Sequence, residues 1–240
     1  EFLTSSPSVL KGTIGILPNI VNTLLMIAAS LLLSVPVGIG AAIYLNEYAR
    51  GGRVVRLIEF TVETLAGIPS IIYGLFGLMF FVTVLKLQTS IIAGALTLMI
   101  MLLPTVIRTT QEALKAVPDS FREGAIGLGA TKWHTIKTIL LPTAKAGIIS
   151  SIILSVGRIV GESAALIFTA GIGDKLTGGL FSQLASSGGT LTVALYTYAM
   201  GRGESADLAF AIASILVLLV LAINVLTMVL GGAGKREKKS

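Results

Sequence analysis

Two side chains of opposite charge, Arg158 and Glu162, lie four residues apart in an otherwise apolar stretch. A spacing of four places both on one helix face, and burying either charge alone costs at least a few kcal/mol. We therefore expect them to pair with each other or to face a water-filled path. A guanidinium binds oxyanions through paired hydrogen bonds, so Arg158 is suited to guiding an anion. The alternative is an interhelical ion pair that only fixes packing.

Gly157 and Gly161 stand directly beside these charges. Their spacing is the small-xxx-small pattern that lets a second helix backbone approach closely. We therefore expect this face to point toward a polar pathway or a subunit interface.

The longest polar segment of the chain contains residues that start and stop helices. Ser120 and Glu123 have the spacing of a capping box, in which each side chain binds a backbone N–H at a helix start. Gly129 can adopt the left-handed conformation that ends a helix. Thr131 can cap a second short helix, and Pro142 is expected to turn the chain back. The segment is predicted to form helix, turn and helix.

The composition indicates an integral membrane protein. Hydrophobic residues make up 54% of the 240 and charged residues 12%, and the mean hydropathy is +0.91. These values are incompatible with an ordinary soluble domain. The chain has no cysteine and a single histidine, His134, which excludes disulfides, cysteine-based redox or metal sites and a histidine metal cluster. No metal or cofactor site is therefore predicted.

Five uncharged or nearly uncharged stretches are each long enough to cross the roughly 30 Å hydrocarbon core as a helix. They are residues 12–46, 64–85, 87–107, 146–173 and 208–234. The predicted fold class is all-α, a polytopic bundle of transmembrane helices. A shorter apolar run at 191–200 is expected to form an interfacial or re-entrant helix, because it is too short to cross.

Basic residues assign the loops to sides of the membrane. Positive charge concentrates around Arg53 and Arg56 and again in the segment after residue 107, which places these loops in the cytoplasm. The net charge of +6 is explained in this way without a nucleic-acid partner. The basic tail places the C-terminus in the cytoplasm, so five spans would place the N-terminus outside. Residues 1–18 contain no signal that could carry the N-terminus across the membrane, and we therefore expect a preceding transmembrane helix beyond this sequence. The predicted layout is an external segment 1–18, a permease domain 19–232 with a cytoplasmic loop 115–142 and an external loop 174–207, and a cytoplasmic basic tail 233–240.

Aromatic and acidic residues near the loops have simpler interpretations. Phe121, Ala125 and Leu128 have helical spacing, which predicts one apolar face for a partner's groove or for the chain itself. Trp133 is interpreted, with His134, as an interfacial anchor. Glu59 and Glu63 are one helical turn apart and are expected on a solvated face or lining a vestibule.

Glu123, Gly124 and Ala125, then Gly129, then Ile139, Leu141 and Pro142 resemble the EAA signature of ABC-transporter permeases. The spacing is complete, and Gly124 in place of alanine is the one departure. The resemblance implies a type I importer permease, with the MetI-like fold, whose loop docks on a separate ATPase subunit. The docking residues it implies are Ser120, Phe121, Arg122, Glu123, Ala125, Gly129 and Ala130.

No nucleotide-binding site is predicted in this chain, because Gly234 and Lys235 lack the upstream glycine of a P-loop. ATP and Mg²⁺ are therefore assigned to the partner ATPase, and this chain is expected to be a non-catalytic subunit without a cofactor.

Residues 66–77 and 157–164 resemble phosphate-importer permeases, and the second segment, together with residues 168–171, resembles the PstA type. The resemblance implies a second permease of the PstC type, an ATPase dimer of the PstB type and an external phosphate-binding protein of the PstS type, assembled in the cytoplasmic (inner) membrane lipid of a bacterium or archaeon. Two alternatives remain open. One is an importer for another oxyanion, such as molybdate or sulfate, or for a different small solute; the other is an ion channel or ion-coupled carrier.

Overall fold

The computed structural model describes residues 3, 5, 15–49, 51–200 and 206–236, and residues 206 and 226–236 by their backbone alone. Most of the predicted external segment 1–18 and the last four residues of the basic tail lie outside the described residues.

The described residues form helices and connecting loops, and no strand occurs among them. In chain order the helices are α1 (Leu17–Ile43), α2 (Arg53–Ala66), α3 (Ser70–Gly77), α4 (Ile91–Lys115), α5 (Asp119–Gly127), α6 (Lys132–Thr135), α7 (Leu141–Gly161), α8 (Ala164–Thr169), α9 (Leu180–Leu184), α10 (Leu191–Met200) and α11 (Ala206–Arg236). Three π-helical stretches extend or join them: Tyr44–Tyr48 after α1, Leu78–Val84 after α3 and Ile136–Leu140 between α6 and α7.

Four helical segments among the described residues are long and apolar enough to cross a membrane: Leu17–Tyr48, Ile91–Lys115, Lys132–Gly161 and Asp207–Val225. A fifth is present if Arg53–Ala66 and Ser70–Val84 count as one broken span. The prediction of an all-α polytopic bundle is thus confirmed. Helix α10 has only 10 residues, in agreement with the prediction that this run is too short to cross.

Two predicted spans have different bounds in the structure. The predicted stretch 64–85 begins earlier, as α2, and is interrupted at Gly67–Pro69, because proline has no N–H and disfavours helical geometry in the residue before it. The predicted stretch 146–173 is part of a longer helix that ends at Gly161, and the chain then starts a separate short helix, α8.

Pro142 does not turn the chain back, as the sequence predicted. It lies inside the continuous helical segment Lys132–Gly161, directly after the π-helical stretch Ile136–Leu140. A proline inside a helix removes one hydrogen bond and clashes with the carbonyl four residues earlier, here that of Thr138. The wider π-helical turn contains Thr138, which accounts for how the helix accommodates the proline.

The chain divides into two compact units. The first consists of the described residues of Glu1–Leu33, Ile68–Met101 and Val156–Val225, and the second of those of Ser34–Gly67, Leu102–Ser155 and Leu226–Ser240. Helices α1, α4, α7 and α11 contribute residues to both.

Each unit has its own buried apolar cluster. In the first, Ile16, Leu191, Ala194 and Ile212 pack together. In the second, one cluster joins the π-helical stretch Ile136–Leu140, the start of α7 and the end of α4 through Leu114, Val117, Ile136, Leu140 and Ala144. Burial of these side chains stabilises the packing of the helices that carry them. The gain in free energy is about 25 cal/mol for each Å² of apolar surface removed from water.

Helix α2 packs against the rest of the second unit by a narrow edge. None of its residues is buried, and Val55 and Val62 are the side chains that pack against the cluster of Ala42, Leu45 and Ile107. Its other large apolar side chains, Val54, Leu57 and Phe60 among them, are exposed. Lipid or another chain must cover a helix with this pattern.

Candidate functional site

Helix α5 carries the first half of the signature, and it begins differently from the prediction. Pro118 is the residue that flanks the helix, with φ −56° and ψ 140°, and no side chain caps the N-terminus. The predicted capping box of Ser120 and Glu123 is therefore wrong. Proline's fixed φ sets the helix start two residues too early for Ser120 to cap it. Ser120 already lies in the first turn, and Asp119 supplies the negative charge favoured there.

The C-terminus of α5 is closed by Gly129, as predicted. Gly129 has φ +80°. Its N–H donates to Ile126 O at 2.9 Å, and the N–H of Ala130 donates to Ala125 O at 3.0 Å. These two bonds form a Schellman motif, which requires a left-handed residue at the position of Gly129. The signature positions 125, 129 and 130 thus have a backbone role in ending the helix.

Thr131 starts α6, also as predicted. Its Oγ1 accepts a hydrogen bond from the N–H of His134 at 3.3 Å, and it has extended backbone geometry. Helices α5 and α6 therefore form a tight helix pair, with Ala125 buried where α5 packs in the second unit. A small residue at position 125 permits this close packing.

The predicted apolar face of α5 is divided in the structure. Ala125 is 5% exposed, whereas Phe121 is 47% and Leu128 is 91% exposed. Ile126 and Trp133, which the sequence reasoning did not assign to a docking face, are also exposed. We call six of the exposed side chains of this helix pair the coupling surface: Ser120, Phe121, Glu123, Ile126, Leu128 and Trp133. A cluster of exposed apolar residues rimmed by polar ones is typical of a protein interaction site.

Arg122 is the one predicted docking residue on α5 whose charged side chain turns inward. Its side chain is 19% exposed, and the guanidinium contacts Glu47, Asp119 and two backbone carbonyls. The alternation of charged residues in the sequence gave no signal of this orientation. The predicted docking role of Arg122 stays a prediction.

Glu162 lies one residue beyond the end of α7, so it does not share a helix with Arg158 as predicted. The helix ends because Gly161 is a poor helix former and because Oε1 of Glu162 accepts the N–H of Ala165 at 3.0 Å, which favours a new helix start. Thr192 Oγ1 donates to the carbonyls of Val160 and Glu162 at 3.0 and 3.2 Å. Glu162 thus has a structural role at the break between α7 and α8.

Arg158 remains inside α7, close to its C-terminus, and is partly buried. Its charge interacts electrostatically with Tyr73, on α3. A cation near the last turn of a helix is favoured by the helix dipole. Pairing of Arg158 with Glu162 and contact of either with a substrate both stay predictions.

Gly157 and Gly161 are exposed, and a Cβ at either position would have no described atom of the chain within 4 Å. No close backbone approach to them therefore occurs within the described part of this chain, and the pathway or subunit interface predicted for this face stays a prediction. A close backbone approach occurs at a different pair, Gly74 and Gly77 of α3. A Cβ on Gly74 would lie 2.7 Å from Ala165 Cα, and one on Gly77 would collide with Thr97 and Thr169.

This approach packs α3 directly on α8. The signal in the sequence was the spacing of Gly74 and Gly77 within an apolar helix, which presents both on nearly one face. The contact joins the helical parts of the two segments that resemble phosphate-importer permeases.

A buried polar network holds the predicted external loop to α1. Gln183 Nε2 donates to Asn22 Oδ1 at 2.7 Å, and Asn19 Nδ2 donates to Gly189 O at 2.9 Å. The N–H of Leu191 donates to Thr23 Oγ1 at 2.9 Å. Buried amides are stable only when paired in this way, so the loop has a defined conformation.

Glu59 and Glu63 line a cavity of about 260 Å³ in the second unit, together with Arg108, Glu112 and Lys115. Arg108 Nη1 lies 3.0 Å from Glu63 Oε1, but both side chains are more than half exposed. An exposed pair of this kind contributes at most about 1 kcal/mol. This geometry fits both interpretations offered by the sequence, a solvated face and a vestibule lining.

An all-helical chain with membrane-length helices and a glycine-closed helix pair at the EAA spacing is the architecture of an ABC-importer membrane subunit. The family described as "Binding-protein-dependent transport system inner membrane component" matches residues 34–233, and the chain belongs to this family.

Within the family, its relatives include phosphate permeases. The chain is 36% identical over 214 residues to the phosphate transport system permease protein PstA of Haemophilus influenzae, covering 89% of this chain and 74% of the relative. It is 38% identical over 172 residues to the probable ABC transporter permease protein YqgI of Bacillus subtilis, covering 72% of this chain and 58% of the relative. The chain thus spans less than two thirds of the Bacillus relative.

Solved structures agree on the fold. A chain of the inward-facing MetNI methionine ABC transporter superposes with a TM-score of 0.72 at 21% identity, covering 91% of this chain and 95% of that one. A chain of a bacterial ABC transporter that imports the acidic polysaccharide alginate superposes with a TM-score of 0.66 at 16% identity, covering 90% of this chain and 78% of that one. At these identities the likeness establishes the fold alone, and it confirms the predicted MetI-like class.

Proposed function

We propose that the chain is a permease subunit of an ATP-driven importer for inorganic phosphate and forms half of the translocation pathway. The observation that supports an ATP-driven importer is the coupling surface. It is an exposed apolar patch on a helix pair whose cap residues have the EAA spacing. Such a surface fits insertion into the groove of a separate ATPase subunit. The chain then hydrolyses nothing itself, and ATP and Mg²⁺ are bound by the ATPase.

Phosphate is supported by the relatives and by one part of the structure. The Haemophilus relative is named a phosphate transport permease. The two segments that resemble such permeases contribute α3 and α8, which pack together, and the second segment contains Arg158. A guanidinium near this contact, partly buried and within electrostatic range of Tyr73, suits the passage of an oxyanion. Glu162 and Arg158 are the proposed pathway residues.

The proposed assembly follows from this role. A second permease of the PstC type completes the pathway, two ATPase subunits of the PstB type drive it, and an external protein of the PstS type delivers phosphate. The complex lies in the cytoplasmic membrane, with the coupling surface and the C-terminus in the cytoplasm, as the basic loops favour.

Transport by the purified complex tests the substrate. The intact assembly is reconstituted in vesicles, and uptake of labelled phosphate is measured with a large excess of unlabelled phosphate, sulfate or molybdate. We expect only unlabelled phosphate to suppress uptake strongly. Competition by sulfate or molybdate at the level of phosphate identifies the broader oxyanion importer. Phosphate uptake that continues without ATP identifies the channel or carrier and contradicts the ATP-driven class.

A further inference from the structure

Arg122 of α5 binds the ends of two membrane-length helices. Its Nε and Nη2 donate to Glu47 Oε1 at 3.3 and 3.0 Å, and Glu47 belongs to the π-helical turn that ends Leu17–Tyr48. Its Nη2 and Nη1 also donate to the carbonyls of Leu114 and Val117 at 2.9 Å each, at the end of α4. A fifth bond runs from Nη1 to Asp119 Oδ1 at 3.0 Å.

The contact with Glu47 is enclosed. The side chain of Glu47 is 7% exposed and that of Arg122 is 19% exposed, whereas Asp119 is 84% exposed. Oε1 of Glu47 also accepts from Asn46 Nδ2 at 2.8 Å. A buried carboxylate without its cation would be strongly unfavourable, so the position of Arg122 and that of Glu47 depend on each other.

The two carbonyls that Arg122 binds lie at the end of α4, and that of Leu114 also accepts the N–H of Val117 at 3.3 Å. Leu114 lies in the last turn of α4 and Val117 just after it. The last four carbonyls of a helix need donors from outside it, and a cation there also complements the helix dipole. One guanidinium thus completes the end of α4 and neutralises the end of α1.

Arginine has the shape that this arrangement requires. Its planar group has several donors in fixed directions, and three of its nitrogens are used here for four acceptors. Lysine has a single nitrogen and cannot reach all of them. A second contact joins the helix pair to the end of α1. Lys132 Nζ of α6 lies 5.2 Å from the ring centre of Tyr48, which belongs to the same π-helical turn as Glu47.

Arg122 and Glu123 therefore have different tasks although they are neighbours. Arg122 is held inside, while Glu123 is exposed on the coupling surface. We infer that Arg122 and Glu47 form a strut that fixes α5 to the ends of α1 and α4, so that movement imposed on the coupling surface reaches these helices. The inference rests on the proposed docking role of α5, and it makes Arg122 a positioning residue.

The effect on transport is tested with conservative substitutions in the whole complex. Arg122→Lys and Glu47→Gln should keep the ATPase bound and hydrolysing, while phosphate transported per ATP falls about five-fold or more. Arg56→Lys is the matched control, because Arg56 is an exposed arginine in the same unit. It should leave the ratio unchanged. Loss of ATPase binding in Arg122→Lys would show that Arg122 docks, and an unchanged ratio would show that no strut exists.

A second readout does not depend on phosphate transport. The chain has no cysteine, so two can be introduced at the exposed positions Ser120 and Tyr44 and spin-labelled. In the assembled complex the distance distribution between the labels should be narrow, and Arg122→Lys or Glu47→Gln should broaden it. Equal widths would overturn the strut. If phosphate uptake is absent but broadening occurs, the substrate assignment fails and the strut stands.

Discussion

Gly124 and Gly129 show how differently two glycines of one signature are constrained. A Cβ on either has no described atom within 4 Å, so space does not distinguish them. Backbone conformation does, because Gly124 is helical whereas Gly129 has φ +80°. Glycine weakens a helix interior, and a residue with a Cβ is strained in the left-handed region. Gly124, which replaces the middle alanine of the EAA signature, is thus at a position where the structure would accept alanine.

Alanine substitution at these two positions should change stability in opposite directions. Gly124→Ala should stabilise the chain by up to about 1 kcal/mol through helix propensity, and Gly129→Ala should destabilise it by about 1–2 kcal/mol through left-handed strain. Melting temperatures of the purified chain in detergent provide the comparison. A lower melting temperature for Gly124→Ala than for Gly129→Ala would contradict the assignment of the helix cap.

At the scale of helices, α3 and α8 pack closely enough that the backbone of one helix contacts the other. Gly74 faces Ala165 Cα and the carbonyl of Ala164, and neither can move aside as the end of a flexible side chain can. Close packing of this kind is how small residues hold helices together where water does not drive association.

A large residue at position 74 should therefore separate these helices. Gly74→Leu should destabilise the purified chain by about 1–3 kcal/mol, the usual penalty of overpacking. The matched control is Gly157→Leu, at an exposed glycine with open space around it, which should leave the stability of the isolated chain nearly unchanged. Equal melting temperatures for the two variants would show that α3 and α8 are not in close contact.

Local sequence signals predicted some helix ends and missed others. Gly129 and Thr131 act through their own backbone and side-chain chemistry, so their roles could be predicted. The start of α5 could not, because Pro118 competed with Ser120 for the flanking position. The continuation of the helix through Pro142 depends on a π-helical turn that has no sequence signature.

Contacts that join distant parts of the chain were the hardest to predict. The inward turn of Arg122 depends on Glu47, 75 residues away. The end of α7 depends on Glu162 binding the next helix, where the apolar pattern alone favoured one long span. Pattern reasoning therefore gave the class of fold and the location of the coupling surface, while the roles of individual charges required the packed structure.

At the scale of the whole chain, large apolar side chains are exposed along several helices, including Leu32, Phe60, Met79 and Phe210. Helix α4 is the exception. In its most apolar 18-residue stretch 61% of the residues are buried, whereas in that of Asp207–Val225 only 11% are buried. Exposed apolar surface on this scale has to be covered by lipid or by partner chains. This burial pattern fits a subunit that works inside a membrane complex.

The proposed sidedness is open to direct measurement, because the chain has no cysteine. A single cysteine at Phe181, which is 86% exposed in the proposed external loop, should react with a membrane-impermeant maleimide in intact cells. A single cysteine at Ser120 should react only after the membrane is opened, since the coupling surface should lie in the cytoplasm. The reverse pattern would invert the topology and exclude docking to a cytoplasmic ATPase.

The central claim is that ATP drives this permease through the coupling surface, and Leu128→Asp tests it most directly. Leu128 is 91% exposed and close to the cap of α5, so a charge there should leave the fold intact while opposing insertion into an apolar groove. In the reconstituted complex we expect loss of ATPase co-purification and of ATP-dependent phosphate uptake. The control Phe181→Asp, an exposed apolar residue in the first unit, should keep the ATPase bound. Full ATPase binding and uptake in Leu128→Asp would contradict the account.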